Sequence, residues 1–301
     1  MKRGMMWAGA LFVGVLVVLG GVLIFGVLAA DRKASRHVAL NIPPVALYDD
    51  AAHLERGSHL YASRGCAECH GAEGAGGECI KDPSGLRVVA PNLTRGGQSA
   101  VRTYAAEDWV RTIRHGVAPD GRPLLIMPSE DYARLGDEDM ASLVSFLQRL
   151  PSRNGPARAI DMPLIMRALY GLDVIEDAAQ KINHTLPPPV PPPRAPDVTY
   201  GAYVAQTCVG CHGPGFSGGH VPSGAPSWPP AANLTPGEGS VMGCYTNLVD
   251  FRSMLRTGMR PNGTEIHPAM PFASLKQLDD LEVEALHAFL QTLTPRAHGQ
   301  R

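Results

Sequence analysis

The stretch Cys66-Ala67-Glu68-Cys69-His70 returns 142 residues later as Cys208-Val209-Gly210-Cys211-His212, and the reading of this pair decides the fold. The surroundings repeat with it. Met127-Pro128 stands 61 residues after the first cysteine of one copy, and Met270-Pro271 stands 62 after that of the other. Tyr61 and Tyr203 lie five residues before each first cysteine, Asn92-Leu93-Thr94 is answered by Asn233-Leu234-Thr235, and Phe146 and Phe289 each follow their methionine by 19 residues. Agreement at so many landmarks marks two copies of one domain, residues 46–151 and 197–295. A chain of 301 residues is long enough to give each its own core.

Cysteines three apart lie on one side of a helical turn, so both thiols reach one edge of a flat macrocycle while the following histidine turns toward its centre. Cys-x-x-Cys-His is accordingly the attachment pattern of c-type haem. Cys66, Cys69 and His70, and Cys208, Cys211 and His212, are expected to hold two covalently bound haem c groups, with His70 and His212 as axial ligands of the iron. One Cys₄ zinc site would use the four thiols, and a thioredoxin-like redox pair would use two; neither explains a histidine after both pairs. Met127 and Met270 are expected to ligate the two irons from the other side. Methionine usually fills cores, but a filler has no reason to repeat in register. His115, His220, Met259 and His267 compete for that position without a counterpart at matching spacing.

Outside the repeat, Met5–Ala30 carries no charged side chain. At about 1.5 Å per residue this run crosses a hydrocarbon core of about 30 Å, so residues 1–30 read as a transmembrane anchor. Lys2 and Arg3 precede it, which leaves the N-terminus in the cytoplasm and both domains on the periplasmic side of the cytoplasmic (inner) membrane, in a single pass. A cleaved signal peptide, with Ala29 and Ala30 near its cut, is the alternative, although such peptides usually carry only about 7–15 apolar residues. Residues 152–196 form a connector. Seven prolines between Pro187 and Pro196 predict an extended spacer, and Met162–Leu172 predicts a short helix.

Apolar residues at helical spacing predict helices over Asp137–Leu150 and Leu281–Leu293, each stopped by a proline, with others over Ala52–Arg64, Ala106–His115, Thr199–Thr207 and Leu248–Thr257. No strand alternation is legible. The expected fold class is therefore all-α: a transmembrane helix followed by two tandem domains. Lys plus Arg against Asp plus Glu is 11 to 15 in residues 46–151 and 4 to 8 in residues 197–295, so each domain is net acidic, which either steers it to basic patches on redox protein partners or serves solubility; no nucleic-acid partner is expected.

Both halves resemble class I cytochrome c domains, with the haem motif at an N-terminal helix and a Met-Pro loop before the last helix. The order Asn-Leu-Thr, Trp109 or Phe251 on a helix, Gly-rich turn and Met-Pro is also similar to the cytochrome subunits of membrane-bound alcohol and gluconate dehydrogenases, which usually carry three haem motifs where this chain has two. The resemblance implies that Tyr61 meets Phe146, and Tyr203 meets Phe289, where the first and last helices cross. It also implies a Pro91 carbonyl against His70, with Ala232 at the corresponding place, and Arg122 and Trp109 as partners of the haem propionates. Cys79 and Cys244 remain, and a disulfide between them is left open.

Iron with both axial positions filled has no place for a substrate, so the expected function is electron transfer rather than catalysis. Single electrons would be relayed from a dehydrogenase or quinol-oxidising donor to an oxidase or soluble carrier of the respiratory chain. The alternatives are a cytochrome subunit of a quinone-linked dehydrogenase complex and a dihaem peroxidase or thiosulfate-oxidising enzyme.

Overall fold

The computed structural model describes residues 2–222, 224, 225 and 227–300, and it is mostly helical. Helix α1 (Lys2–Ala34) contains the candidate membrane span Gly9–Ala34, apolar up to Ala30, long enough to cross a membrane and almost entirely exposed. The first domain follows with α2 (Ala51–Ser63), α3 (Cys66–His70), strands β1 (Gly77–Lys81) and β2 (Arg87–Ala90), α4 (Ala106–His115), α5 (Ser129–Tyr132) and α6 (Asp137–Gln148). The connector supplies β3 (Ala159–Asp161), α7 (Leu164–Gly171) and α8 (Ala178–Lys181). The second domain comprises α9 (Val198–Val204), a 3₁₀ turn at Ala205–Cys208, α10 (Val209–His212), a 3₁₀ turn at Met242–Cys244, α11 (Leu248–Thr257), α12 (Phe272–Leu275) and α13 (Asp280–Gln291).

The helix ends follow capping chemistry. Asp50, Asp197, Asn247 and Asp279 each stand one residue before a helix and accept a hydrogen bond from a backbone N–H of its first turn. Gly116 and Gly258 close α4 and α11 at φ 64° and 75°, where a side chain would be strained. Leu60, Trp109, Ile113, Leu143 and Val144 build the first core between α2, α4 and α6. Val204, Phe251, Leu255, Val283 and Leu286 build the second between α9, α11 and α13.

First and last helices cross in both domains at a glycine. A Cβ on Gly57 would strike the Ser142 carbonyl, and one on Gly201 would strike the Ala285 carbonyl. Gly57 lies nine residues before Cys66, but Gly201 lies only seven before Cys208. The second domain absorbs the difference by ending α9 early and tightening into 3₁₀ geometry.

That change of phase corrects one expectation. Tyr61 does meet Phe146, ring centroids 5.7 Å apart. Phe289 instead takes Phe216 as its edge-on partner at 5.6 Å, while Tyr203 turns outward to the first domain, its hydroxyl donating to Asp139 Oδ2 at 2.8 Å.

A small antiparallel sheet, order β1-β2-β3, was not legible in the pattern. Its strands are three to five residues long, β1 carries a bulge between Glu78 and Ile80, and β3 comes from the connector some seventy residues on. Too few residues alternate for a period of two to register.

The connector touches both domains. The side chains of Asn92 and Thr94 donate to the Arg153 carbonyl at 2.8 and 3.0 Å, and Arg194 pairs with Asp279. It also binds the end of α1. Gly26 and Ala30 pack against Ala168 and Gly171, Lys33 Nζ donates to the Tyr170 and Ile175 carbonyls at 2.8 and 3.0 Å, and Arg36 makes a two-pronged pair with fully buried Asp177 at 2.5 and 2.7 Å.

Candidate haem sites

Both Cys-x-x-Cys-His stretches form single helical turns, α3 and the 3₁₀ turn running into α10, closed by Gly71 and Gly213 at φ 76° and 78°. His70 Nδ1 lies 3.0 Å from the Pro91 carbonyl, and His212 Nδ1 lies 2.8 Å from that of Ala232. A carbonyl only accepts, so Nδ1 donates in both, which orients each ring and makes Nε2 the nitrogen suited to a metal. Burial lowers the pKa of His70 and so favours the neutral, ligating form. Burial likewise pushes the Cys66 and Cys208 thiols up to about 12 and about 11.

The carbonyls that hold the histidines are themselves held. Asn92 donates to the Gly97 and Arg153 carbonyls at 2.9 and 2.8 Å, and its Oδ1 accepts from Thr94 N. Asn233 does the same with Glu238, Arg296 and Thr235. Both asparagines are fully buried. Asn-Leu-Thr therefore acts as a clamp that ties the loop under each histidine to the chain leaving the last helix.

Met127 and Cys66 pack against the first core, Met270 and Cys208 against the second, so each domain brings its methionine and the first cysteine of its motif to one apolar body. Cys69 is exposed, and Cys211 and His212 are half-buried. Of the competitors, His115 Nδ1 lies 3.1 Å from His184 Nδ1, exposed His267 accepts from Ala269 N at 3.1 Å, and Met259 and His220 are exposed. The six cysteines form no disulfide. Cys79, on β1, interacts with Cys69, whereas Cys244 is exposed in the second domain.

Trp109 is 4% exposed and edge-on to Tyr104 in the core. Arg122 is exposed and paired with Asp120 at 2.7 Å. It lines a cavity of about 430 Å³ together with Ala100, Tyr104 and Arg158. Arg158, a second cation there, comes from the connector, and nothing in its local sequence announces it.

Each haem motif packs, across the domain interface, against the short helix that follows the methionine of the other domain. Ser274, in α12 just after Met270, hydrogen-bonds Glu68 of α3. Asp131, in α5 just after Met127, lies against Gly210 of α10, where burial pushes its carboxyl up to about 7 with help from Glu130. Around this exchange runs a buried charge network. Glu282 Oε2 accepts from His59 Nε2 at 2.7 Å, and its Oε1 lies 3.1 Å from Arg64 Nη2 and 3.4 Å from Arg56 Nη1. Arg56 also clasps Asp139 at 2.7 and 2.8 Å. Asp139 and Glu282 are equivalent third residues of α6 and α13, and His59 and Tyr203 each follow a crossing glycine by two. Each domain thus reaches from its first helix to the acid of the other's last helix. In sequence Glu282 reads only as half of a capping box with Asp279, which it also is.

Residues 52–147 match the family model described as cytochrome c oxidase, cbb3-type, subunit III, and residues 198–294 match that described as cytochrome c. Among curated relatives, the fructose dehydrogenase cytochrome subunit of Gluconobacter japonicus is 26% identical over 82% of this chain and 54% of its own length. The gluconate 2-dehydrogenase cytochrome c subunit of Pantoea cypripedii is 34% identical over 34% of this chain and 24% of its own. A diheme cytochrome c-type protein of Cereibacter sphaeroides is 24% identical over 78% of this chain and 84% of its own. The chain thus spans about half the length of the fructose dehydrogenase subunit.

Proposed function

Taking the chain as a dihaem c-type cytochrome of two tandem cytochrome c domains, we propose that it is the electron-carrying cytochrome subunit of a membrane-bound dehydrogenase. The observation that carries this reading is the likeness to the fructose dehydrogenase cytochrome subunit over 82% of the chain. When bound, each haem supplies a one-electron iron couple. Cys66 and Cys69, and Cys208 and Cys211, would hold it by thioether bonds. His70 and His212 would ligate through Nε2, in the orientation that the Pro91 and Ala232 carbonyls favour. Met127 and Met270 would supply the remaining iron ligand, a thioether that raises the potential relative to a second histidine. Arg122 and Arg158 are suited to neutralise the propionates of the first haem from the cavity they line.

Retention of α1 as a membrane anchor, with both domains on the periplasmic face, is part of this reading. Its support is that residues 26–36 belong to the folded body: cutting after Ala30 would discard the Gly26 contact with Ala168.

Purification from membranes with partners retained tests both parts. A flavin- or quinone-containing subunit is expected to co-purify, its substrate is expected to reduce both haems, and N-terminal sequencing is expected to find residues before Ala30. Isolation as a lone cytochrome that no dehydrogenase substrate reduces would return the chain to a free-standing carrier. Peroxide turnover with a high-spin haem would favour the enzymatic alternative.

A further inference from the structure

Helix α7 reads LIMRALYG, with Arg167 its one charged residue. One face is spent on α1. Ala168 and Tyr170 are buried, a Cβ on Gly26 would lie 2.8 Å from the Ala168 carbonyl, and Gly171 abuts Gly26 and Ala30, so the two backbones touch. Its first two side chains face outward: Leu164 and Ile165 are 59% and 68% exposed. Beside this crossing, α1 exposes Ile24, Phe25 and Leu28 to a similar degree. The two helices therefore present adjoining apolar surface, unlike the singly scattered apolar residues normal on a soluble protein. Charges follow directly along the chain. Arg167 pairs with Asp31 at 2.7 Å, Lys33 with Asp173 at 2.7 Å, and Arg36 with Asp177. Apolar side chains flanked by paired charges fit the acyl–headgroup boundary, where one part is buried and the other reaches the polar layer.

We propose that the first turn of α7, through Leu164 and Ile165, seats in the acyl–headgroup boundary of the outer leaflet beside α1. This rests on α1 being a retained anchor, because the occupant is argued from continuity with the lipid-facing surface of that helix. The consequence is orientation. A single helix fixes distance from the membrane but leaves the body to swivel and tilt. A second contact, close to the first, removes much of that freedom. It is also joined to the haem region by rigid parts: α7 follows β3, β3 pairs with β2, β2 with β1, and β1 packs on α3. The face that the first haem domain offers along the membrane is then set by the protein.

Full-length, haem-loaded protein reconstituted in vesicles of phosphatidylethanolamine and phosphatidylglycerol, doped with a phospholipid carrying a diazirine in its acyl chain, tests this by photolabelling and peptide mass spectrometry. Label is expected on peptides from α1 and on Leu164–Ile165. Ile165→Glu is expected to lose the α7 label while keeping that of α1. Label on α1 with none on α7 overturns the proposal and leaves the anchor intact. Absence of label from both, or a mature N-terminus beyond Ala30, overturns the anchor first and this proposal with it. In native membranes, loss of the α7 label with a cross-link from α7 to another polypeptide overturns lipid in favour of a partner subunit.

Discussion

A thioether sulfur donates more weakly to ferric iron than an imidazole does, so Met270→His is expected to lower one of the two midpoint potentials by on the order of 0.1 V and to remove part of the methionine-to-iron charge-transfer band. Unchanged potentials in a redox titration would take Met270 out of the coordination sphere. Glu282 offers a second test at this scale. Burial alone would raise its carboxyl; Arg64, His59 and Arg56 override that and hold it well below the ordinary 4.5. Asp139 is lowered too, burial again being outweighed, here by Arg56. Because these folded-state pKa values are depressed, the stability they contribute is fully present above about pH 4.5 and is lost as pH falls below it. Glu282→Ala leaves Arg64 and Arg56 with one carboxylate fewer in a buried site and is expected to cost about 3–5 kcal/mol. Thermal denaturation at pH 7 and pH 4 checks both: the gap between wild type and variant is expected to narrow at the lower pH.

Among the elements, the crossing of first and last helices carries the sharpest expectation. At Gly201 an added side chain meets the Ala285 backbone, so Gly201→Leu forces α9 off α13 and is expected to cost at least about 1–3 kcal/mol. Gly77, whose Cβ direction is open, is expected to accept alanine within about 0.5 kcal/mol in the same denaturation assay. The long helices were legible in sequence. Ala106–His115 and Leu248–Thr257 stand over the residues expected, and Asp137–Gln148 and Asp280–Gln291 end two residues before the expected limit. The phase of α9 was not legible. Counting back from cysteine aligns Tyr203 with Tyr61, whereas counting from the crossing glycine aligns it with His59, and the helix packing follows the glycine.

For the whole molecule, the two domains dock by a reciprocal exchange, His59 to Glu282 and Tyr203 to Asp139. A duplicated domain can use the same two positions twice only if the copies face each other in nearly twofold fashion, and that arrangement brings the haem motifs to a common interface. Each domain also carries four more acidic than basic residues. Electron transfer to a basic soluble cytochrome is therefore expected to slow by roughly tenfold between about 10 and 150 mM salt, measured by stopped flow; a flat salt profile would assign the charge to solubility.

Sequence by itself determined what is local or repeated: the haem motifs, the duplication, the apolar N-terminal run and the helices whose period fills a turn. Spacing and periodicity are properties of a single strand of chain, and they survive without knowledge of what lies across from it. Only the tertiary structure decided how Arg158 joins Arg122, why Glu282 is ionised in a buried interface, where Tyr203 points, and that the connector clasps α1. Each of these depends on residues far apart in the chain, and their partners are chosen by packing rather than by pattern.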